Sequence, residues 1–64
     1  MYEELINKHI RLVKTDDYVL WGHFFQEDTV QKVIKIRFDD GRVRVISYSE
    51  IKYVEEDRRG ARHG

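Results

Sequence analysis

The chain has 64 residues, no cysteine and no proline, and its twelve Lys and Arg residues balance twelve Asp and Glu residues. This length allows one small domain, and the lack of cysteine excludes disulfides and thiolate metal sites and fits a reducing, cytoplasmic location. A formal net charge of zero argues against a dedicated nucleic-acid binder, which is more often basic. No apolar run reaches the roughly 18 residues of a membrane helix, so we expect a soluble protein that contacts no membrane.

The chain begins with a predicted short helix and continues as strands. Residues 2–8 favour the helix, with Leu5 and Ile6 as its apolar face. Alternating or β-branched and aromatic residues then predict five strands. Four of them cover 10–14, 18–25, 30–38 and 51–54. The remaining strand follows the turn at 39–42 and pairs with 30–38. We expect one domain over residues 1–56 and a disordered basic tail over 57–64.

Asp40-Gly41 lies between alternating residues and is the strongest local signal. It predicts a two-residue type I′ hairpin, in which both central residues have positive φ. This turn would place Arg37 directly opposite Arg44. One face of the hairpin would then be apolar and buried, and the other cationic. The apolar face would carry Ile34, Ile36, Phe38, Val43 and Val45, and the cationic face Lys35, Arg37, Arg42 and Arg44.

A short helix followed by five closely spaced antiparallel strands resembles the Sm-like branch of SH3-like barrels. The segment 5–12 looks like the entry from helix to first strand, Gly22 falls where the second strand bends, and 46–54 is similar to the closing strand, turn and strand. The resemblance implies a mainly β, five-stranded antiparallel SH3-like (Sm-like) barrel, with ring assembly or RNA binding. The family's uridine-binding residues are not carried over, because residues 26–29 contain no Asn and Ser47-Tyr48 replaces an Arg-Gly pair.

The predicted cationic hairpin face is the best candidate for an anion site. Arg37 opposite Arg44 would be destabilising by some tenths of a kcal/mol, which a bridging phosphate or carboxylate would relieve. Trp21 and Tyr48 near these cations would supply stacking surfaces for bases. The predicted nucleic-acid-binding set is therefore Lys35, Arg37, Arg42, Arg44, Trp21 and Tyr48. The alternative is a solvated face whose charges only keep the protein in solution.

The strand from Tyr18 to Phe25 is apolar on both faces. It is either covered on both sides within one molecule or leaves an exposed patch. Trp21, His23 and Phe25 are the predicted interface residues, for a second copy of the chain or another protein.

No catalytic or metal-binding motif is present, and we expect no enzyme, no cofactor and no metal. The histidines at 9, 23 and 63 are not spaced as metal ligands, and the paired Asp residues at 16–17 and 39–40 lie in predicted turns. The sequence leaves two functions open. One is a module that binds single-stranded nucleic acid, RNA rather than duplex DNA. The other is a protein-interaction module, a homo-oligomer or a small regulator, with no nucleic acid.

Overall fold

The computed structural model describes residues 1–58. Five antiparallel strands form one sheet in the order β4-β3-β2-β1-β5. The strands are β1 (Lys8–Lys14), β2 (Val19–Asp28), β3 (Val33–Arg37), β4 (Val43–Ser47) and β5 (Ile51–Glu56). Within residues 1–58, β4 and β5 are the two edges and do not pair with each other, so the barrel closure predicted from the sequence stays a prediction.

The predicted N-terminal helix is reduced to a single 3₁₀ turn at Glu3–Leu5. Asn7 has a φ of 70° and donates its N–H to the carbonyl oxygen of Phe24 at 2.7 Å, so strand pairing starts before a helix can extend. A second 3₁₀ turn, at Tyr48–Glu50, connects β4 to β5. It closes with a capping box in which Ser47 and Glu50 each bond the other's backbone.

One face of the sheet, the inner face, holds the core. Its fully or almost fully buried residues come from four strands, because period-two alternation places every second side chain there. They are Ile10, Leu12, Leu20, Phe24, Ile34, Ile36 and Ile46. Tyr2, Leu5, Ile6, Phe38, Tyr48, Ile51 and Val54 pack against this cluster. The burial of Ile34 and Ile36 was predicted from the sequence and is confirmed.

The long strand β2 connects the two halves of the sheet. Its residues 19–24 pair with β1, and its residues 23–28 pair with β3. Gly22 lies where the halves meet, and a Cβ built there would be 2.4 Å from Cγ2 of Ile36 and 2.9 Å from the carbonyl oxygen of Arg37. Glycine at this position therefore allows β3 to approach β2 closely.

The hairpin between β3 and β4 differs from the prediction. The N–H of Gly41 bonds the carbonyl of Phe38 at 2.9 Å, and the N–H of Phe38 bonds the carbonyl of Arg42 at 2.8 Å. The loop therefore has three residues, Asp39 to Gly41, and only Gly41 among them has a positive φ, of 88°. The predicted two-residue type I′ turn is wrong, because Gly41 takes the left-handed position after an ordinary turn.

This longer loop shifts the register by one residue. Arg37 pairs with Val43, Ile36 with Arg44 and Ile34 with Ile46. The predicted opposition of Arg37 and Arg44 is therefore wrong, and so is the predicted burial of Val43 and Val45, which are 48% and 54% exposed. The observed register instead buries Ile46 beside Ile34. The predicted register would have placed Ile46 on the cationic face.

The predicted strand 30–38 is also shorter than expected. Residues 29–32 form a turn in which the Asp28 carboxylate accepts the N–H groups of Val30 and Gln31, each at 3.0 Å. The predicted tail, residues 57–64, lies almost entirely outside the described residues. At its start, Asp57 donates its N–H to the carbonyl of His9 at 2.8 Å.

Candidate binding face

The face opposite the core, the outer face, carries two of the four predicted cations. Cross-strand pairs share a face, and on this one His23 is opposite Arg37 and Val45 is opposite Lys35. Neither Lys35 nor Arg37 forms an ion pair with any residue from 1 to 58. These two charges are therefore available to an external anion.

Aromatic side chains lie beside these cations. The guanidinium of Arg37 is 4.6 Å from the ring centroid of Phe25, close enough for a cation–π interaction. Phe25 reaches this position because β2 has a bulge between Phe24 and Gln26. Trp21 lies on the same face, opposite Arg11 of β1, and is 45% exposed. Trp21 is therefore not a core residue, and the outer face combines aromatic surface with positive charge.

The other predicted binding residues are not on this face. Arg42 bonds Asp40 in the hairpin loop, with Nε 2.6 Å from Oδ2. Arg44 is opposite Ile36 and so belongs to the inner-face side of edge strand β4, where it is exposed and forms no ion pair within residues 1–58. Tyr48 packs against the core. The predicted set of six is thus split, and only Lys35, Arg37 and Trp21 are brought together.

The predicted interface residues Trp21, His23 and Phe25 do share the outer face. His23 lies between His9 of β1 and Arg37 of β3 in one cross-strand row. Nδ1 of His9 is 3.3 Å from Oδ2 of Asp57, so this histidine already faces a carboxylate. Among the described residues no group of three or more His, Asp or Glu side chains is arranged to hold a metal ion. His63 lies outside them.

Charges on the β1–β5 side of the outer face are paired with each other. The Arg11 guanidinium donates to Tyr53 Oη at 3.0 Å and to Glu55 Oε1 at 2.8 Å, and it lies 5.8 Å from the Tyr53 ring centroid. The hydrogen bonds to Tyr53 and Glu55 raise the pKa of Arg11. The cation beside Trp21, Arg11, therefore has a carboxylate partner, whereas those on β3 have none among residues 1–58.

Sequence reasoning missed Glu27, a carboxylate whose side chain is only 2% exposed. Glu27 is opposite Ile34 on the inner face, and it accepts hydrogen bonds from the Tyr48 hydroxyl and, at 3.2 Å, from the N–H of Tyr2. The hydrogen bond to Glu27 raises the pKa of Tyr48 to about 12. The bulge at Phe25 is the reason for the miss, because it reverses the alternation and turns a polar residue inward.

No protein-family model matches this chain, and neither the curated proteins nor the solved structures contain a significant match to it. Function is therefore argued from the molecule itself. Within residues 1–58 the structure has no helix with the length and apolar character needed to cross a membrane.

Proposed function

We propose that the protein is a binding module without enzymatic activity that holds single-stranded nucleic acid on the outer face of β2 and β3. The observation that carries this proposal is the position of two cations without an ion-pair partner in residues 1–58, Lys35 and Arg37, on the same face as the exposed Trp21. The proposal includes a cytoplasmic location, which suits a chain without cysteine.

Lys35 and Arg37 would contact phosphates, and the aromatic rings would contact bases. Arg37 already lies over Phe25, so its guanidinium is oriented before a ligand arrives. A base stacked on Trp21 would lie next to the neutralised Arg11, which leaves phosphate attraction concentrated on β3. Stacking needs bases that are not paired inside a duplex, and this favours RNA or another single strand over duplex DNA.

The fold supports this proposal by analogy only. We further propose that the sheet is of the SH3-like, Sm-like barrel type. The long second strand, which pairs first with β1 and then with β3, and the 3₁₀ turn between β4 and β5 support that assignment. A fold of this type hosts many functions, so the site and not the fold carries the functional argument.

Trp21 is the chain's single tryptophan, and its fluorescence therefore tests the proposal directly. We expect a short single-stranded RNA to quench this fluorescence and an RNA–RNA duplex of the same sequence to quench it less. Two phosphate contacts predict a slope of about −1.4 for log affinity against log salt concentration. The absence of any binding to single-stranded RNA or DNA at low salt would contradict the proposal.

Arg37→Gln and Arg42→Gln form a matched pair of variants, because both remove one charge from the same hairpin. We expect Arg37→Gln to make the salt slope shallower by about 0.7, as one phosphate contact is lost. Arg42→Gln should leave the slope unchanged, since Arg42 bonds Asp40 and does not share the outer face. Equal effects of the two substitutions would mean that only net charge matters, and the specific face would be wrong.

The second candidate function is a protein-interaction module or small regulator that uses the same face. Exposed Val43 and Val45 add apolar side chains on β4 to the face that carries Trp21, and the net charge is zero. Sedimentation analysis distinguishes the candidates, because a homo-oligomer would have a mass above 7.8 kDa without nucleic acid. Trp21→Ala should then dissociate the oligomer, and an unchanged mass would exclude Trp21 from the interface.

A further inference from the structure

Edge strand β4 presents free backbone groups to solvent. The hydrogen bond from Phe38 N–H to Arg42 C=O fixes which residues of β4 face β3. Backbone groups of an antiparallel strand point alternately to either side, so those of Arg44 and Ile46 also face β3. The N–H and C=O groups of Val43 and Val45 therefore point away from β3, and within residues 1–58 no other strand pairs with β4.

The exposed side chains of β4 alternate between apolar and positive. Val43 and Val45 are about half exposed on the outer face. Arg44, between them, is exposed on the other side and has no ion-pair partner in the described chain. Proteins usually protect an edge with a bulge, a proline or inward-pointing charge. The regular β4 has no bulge and no proline, and its one charge on the inner-face side, Arg44, is exposed.

The opposite edge, β5, is irregular, and its charges already have partners. Its pairing with β1 is interrupted between Val13 and Lys14. Its charged side chains are also paired across the sheet, with Glu55 to Arg11 and Glu56 to Lys8. A segment added there would displace existing ion pairs, whereas a segment added at β4 would displace no ion pair within residues 1–58.

We propose that β4 is a docking edge for an extended segment of another protein that carries an apolar–acidic–apolar triplet. Such a segment would pair with the free backbone groups of Val43 and Val45, as in β-strand addition. Its two apolar side chains would cover these valines on the outer face. Its acidic side chain, on the other side, would meet Arg44, because cross-strand neighbours share a face.

A second copy of the chain fits this edge poorly. No apolar–acidic–apolar triplet occurs in the 64 residues. Antiparallel pairing of two β4 strands centred on Arg44 would place like charges opposite each other, which is destabilising. The inference goes beyond the proposed nucleic-acid function and is independent of it, because Trp21 and Arg37 lie on β2 and β3 and stay accessible.

The test uses a seven-residue peptide with blocked ends, a central Val-Glu-Val triplet and flanking Ser and Thr residues. In NMR titrations of the full chain, we expect the amide signals of Val43 and Val45 to shift and their hydrogen exchange to slow. A Val-Lys-Val peptide should bind at least about fivefold more weakly, the scale of an exposed charge pair. The variant Arg44→Glu should reverse this preference.

Val45→Lys should abolish peptide binding, because lysine on an edge blocks strand addition and its position is already exposed. Val30→Lys is the matched control, since Val30 is 89% exposed in the turn before β3. Binding unaffected by Val45→Lys, or equal affinity for both peptides, would overturn the proposal. So would slow exchange at Val43 and Val45 without peptide in a dimeric sample, because a second copy would then occupy the edge.

Discussion

The two ends of the sheet differ in whether their positive side chains have carboxylate partners. On the β1–β5 end, the cations Lys8, Arg11 and Lys14 each have a carboxylate partner in or just before β5. On the β3–β4 end, Lys35, Arg37 and Arg44 have none within residues 1–58. The difference comes from the strand partners, because β5 supplies Glu55 and Glu56 opposite β1, whereas β4 supplies valines opposite β3.

Because of this asymmetry, the two ends of the sheet differ in their capacity to bind an external anion. The paired end has its charges neutralised, and it gives an external anion little to bind. The β3–β4 end has both positive charge without an ion-pair partner in residues 1–58 and exposed apolar side chains. Both proposals, for nucleic acid and for a peptide segment, therefore use cations of β3 or β4.

The largest effect is expected where the two ends join. Gly22→Ala places a Cβ against Ile36 and the backbone of Arg37, so β3 must move away from β2. We expect a loss of about 1–3 kcal/mol in unfolding free energy, measured by urea denaturation. Gly41→Asn is the control, since nothing lies within 4 Å of a Cβ there and asparagine tolerates a positive φ. Equal stability of Gly22→Ala and wild type would show that β3 is free to shift.

A smaller effect is expected at the buried carboxylate that attaches the β4–β5 connection to β2. Tyr48→Phe removes the hydroxyl donor from Glu27, whose side chain is almost fully buried, and should lower the urea midpoint by less than Gly22→Ala does. Tyr18→Phe removes an exposed hydroxyl and should cost little, as urea denaturation of both variants will show. A Tyr48→Phe variant as stable as wild type would contradict the assigned hydrogen bond.

The same tyrosine predicts a pH dependence. The pKa of Tyr48 is about 12 in the folded protein against an ordinary 10.0, so between these values the folded state holds more protons than the unfolded state. Stability from this group is therefore complete below pH 10 and falls as the pH rises towards 12. Urea denaturation at pH 8 and at about pH 11.5 should show a smaller loss for Tyr48→Phe than for wild type.

The smallest effect on stability is expected from the ion pair that distinguishes the β1–β5 end from the β3–β4 end. Arg11→Gln and Glu55→Gln should each lower the urea midpoint slightly, and Arg11→Gln should lower it more, because Arg11 also donates to Tyr53. The double variant should match Arg11→Gln, because the ion pair is already lost there. About 1 M salt should remove the difference. Lys35→Gln should not lower the midpoint, since no ion pair is lost. A larger decrease in the urea midpoint for Lys35→Gln than for Arg11→Gln would contradict the described difference between the two ends of the sheet.

Much of the fold follows from local patterns. Alternation predicts the segments that become strands, and Asp40-Gly41 marks the position of the hairpin because few residues accept a positive φ. Leu12, Ile34 and Ile36 are inward because each lies in a strand whose alternation has one consistent solution. The pairing of cations with aromatics was also predictable in part, and Trp21, Lys35 and Arg37 do share a face.

The sequence by itself determined an antiparallel β fold, the approximate positions of its strands and the inward side chains of β1 and β3. Tertiary structure alone decided the face of each β4 side chain, since Val43-Arg44-Val45-Ile46 has apolar residues in both phases of its alternation. Burial of Ile46 against Ile34 selected one phase and exposed the two valines. The bulge at Phe25 likewise reversed the alternation of β2 and turned Glu27 inward. Both outcomes depend on a one-residue shift, which leaves local propensity unchanged and is decided only by packing between strands.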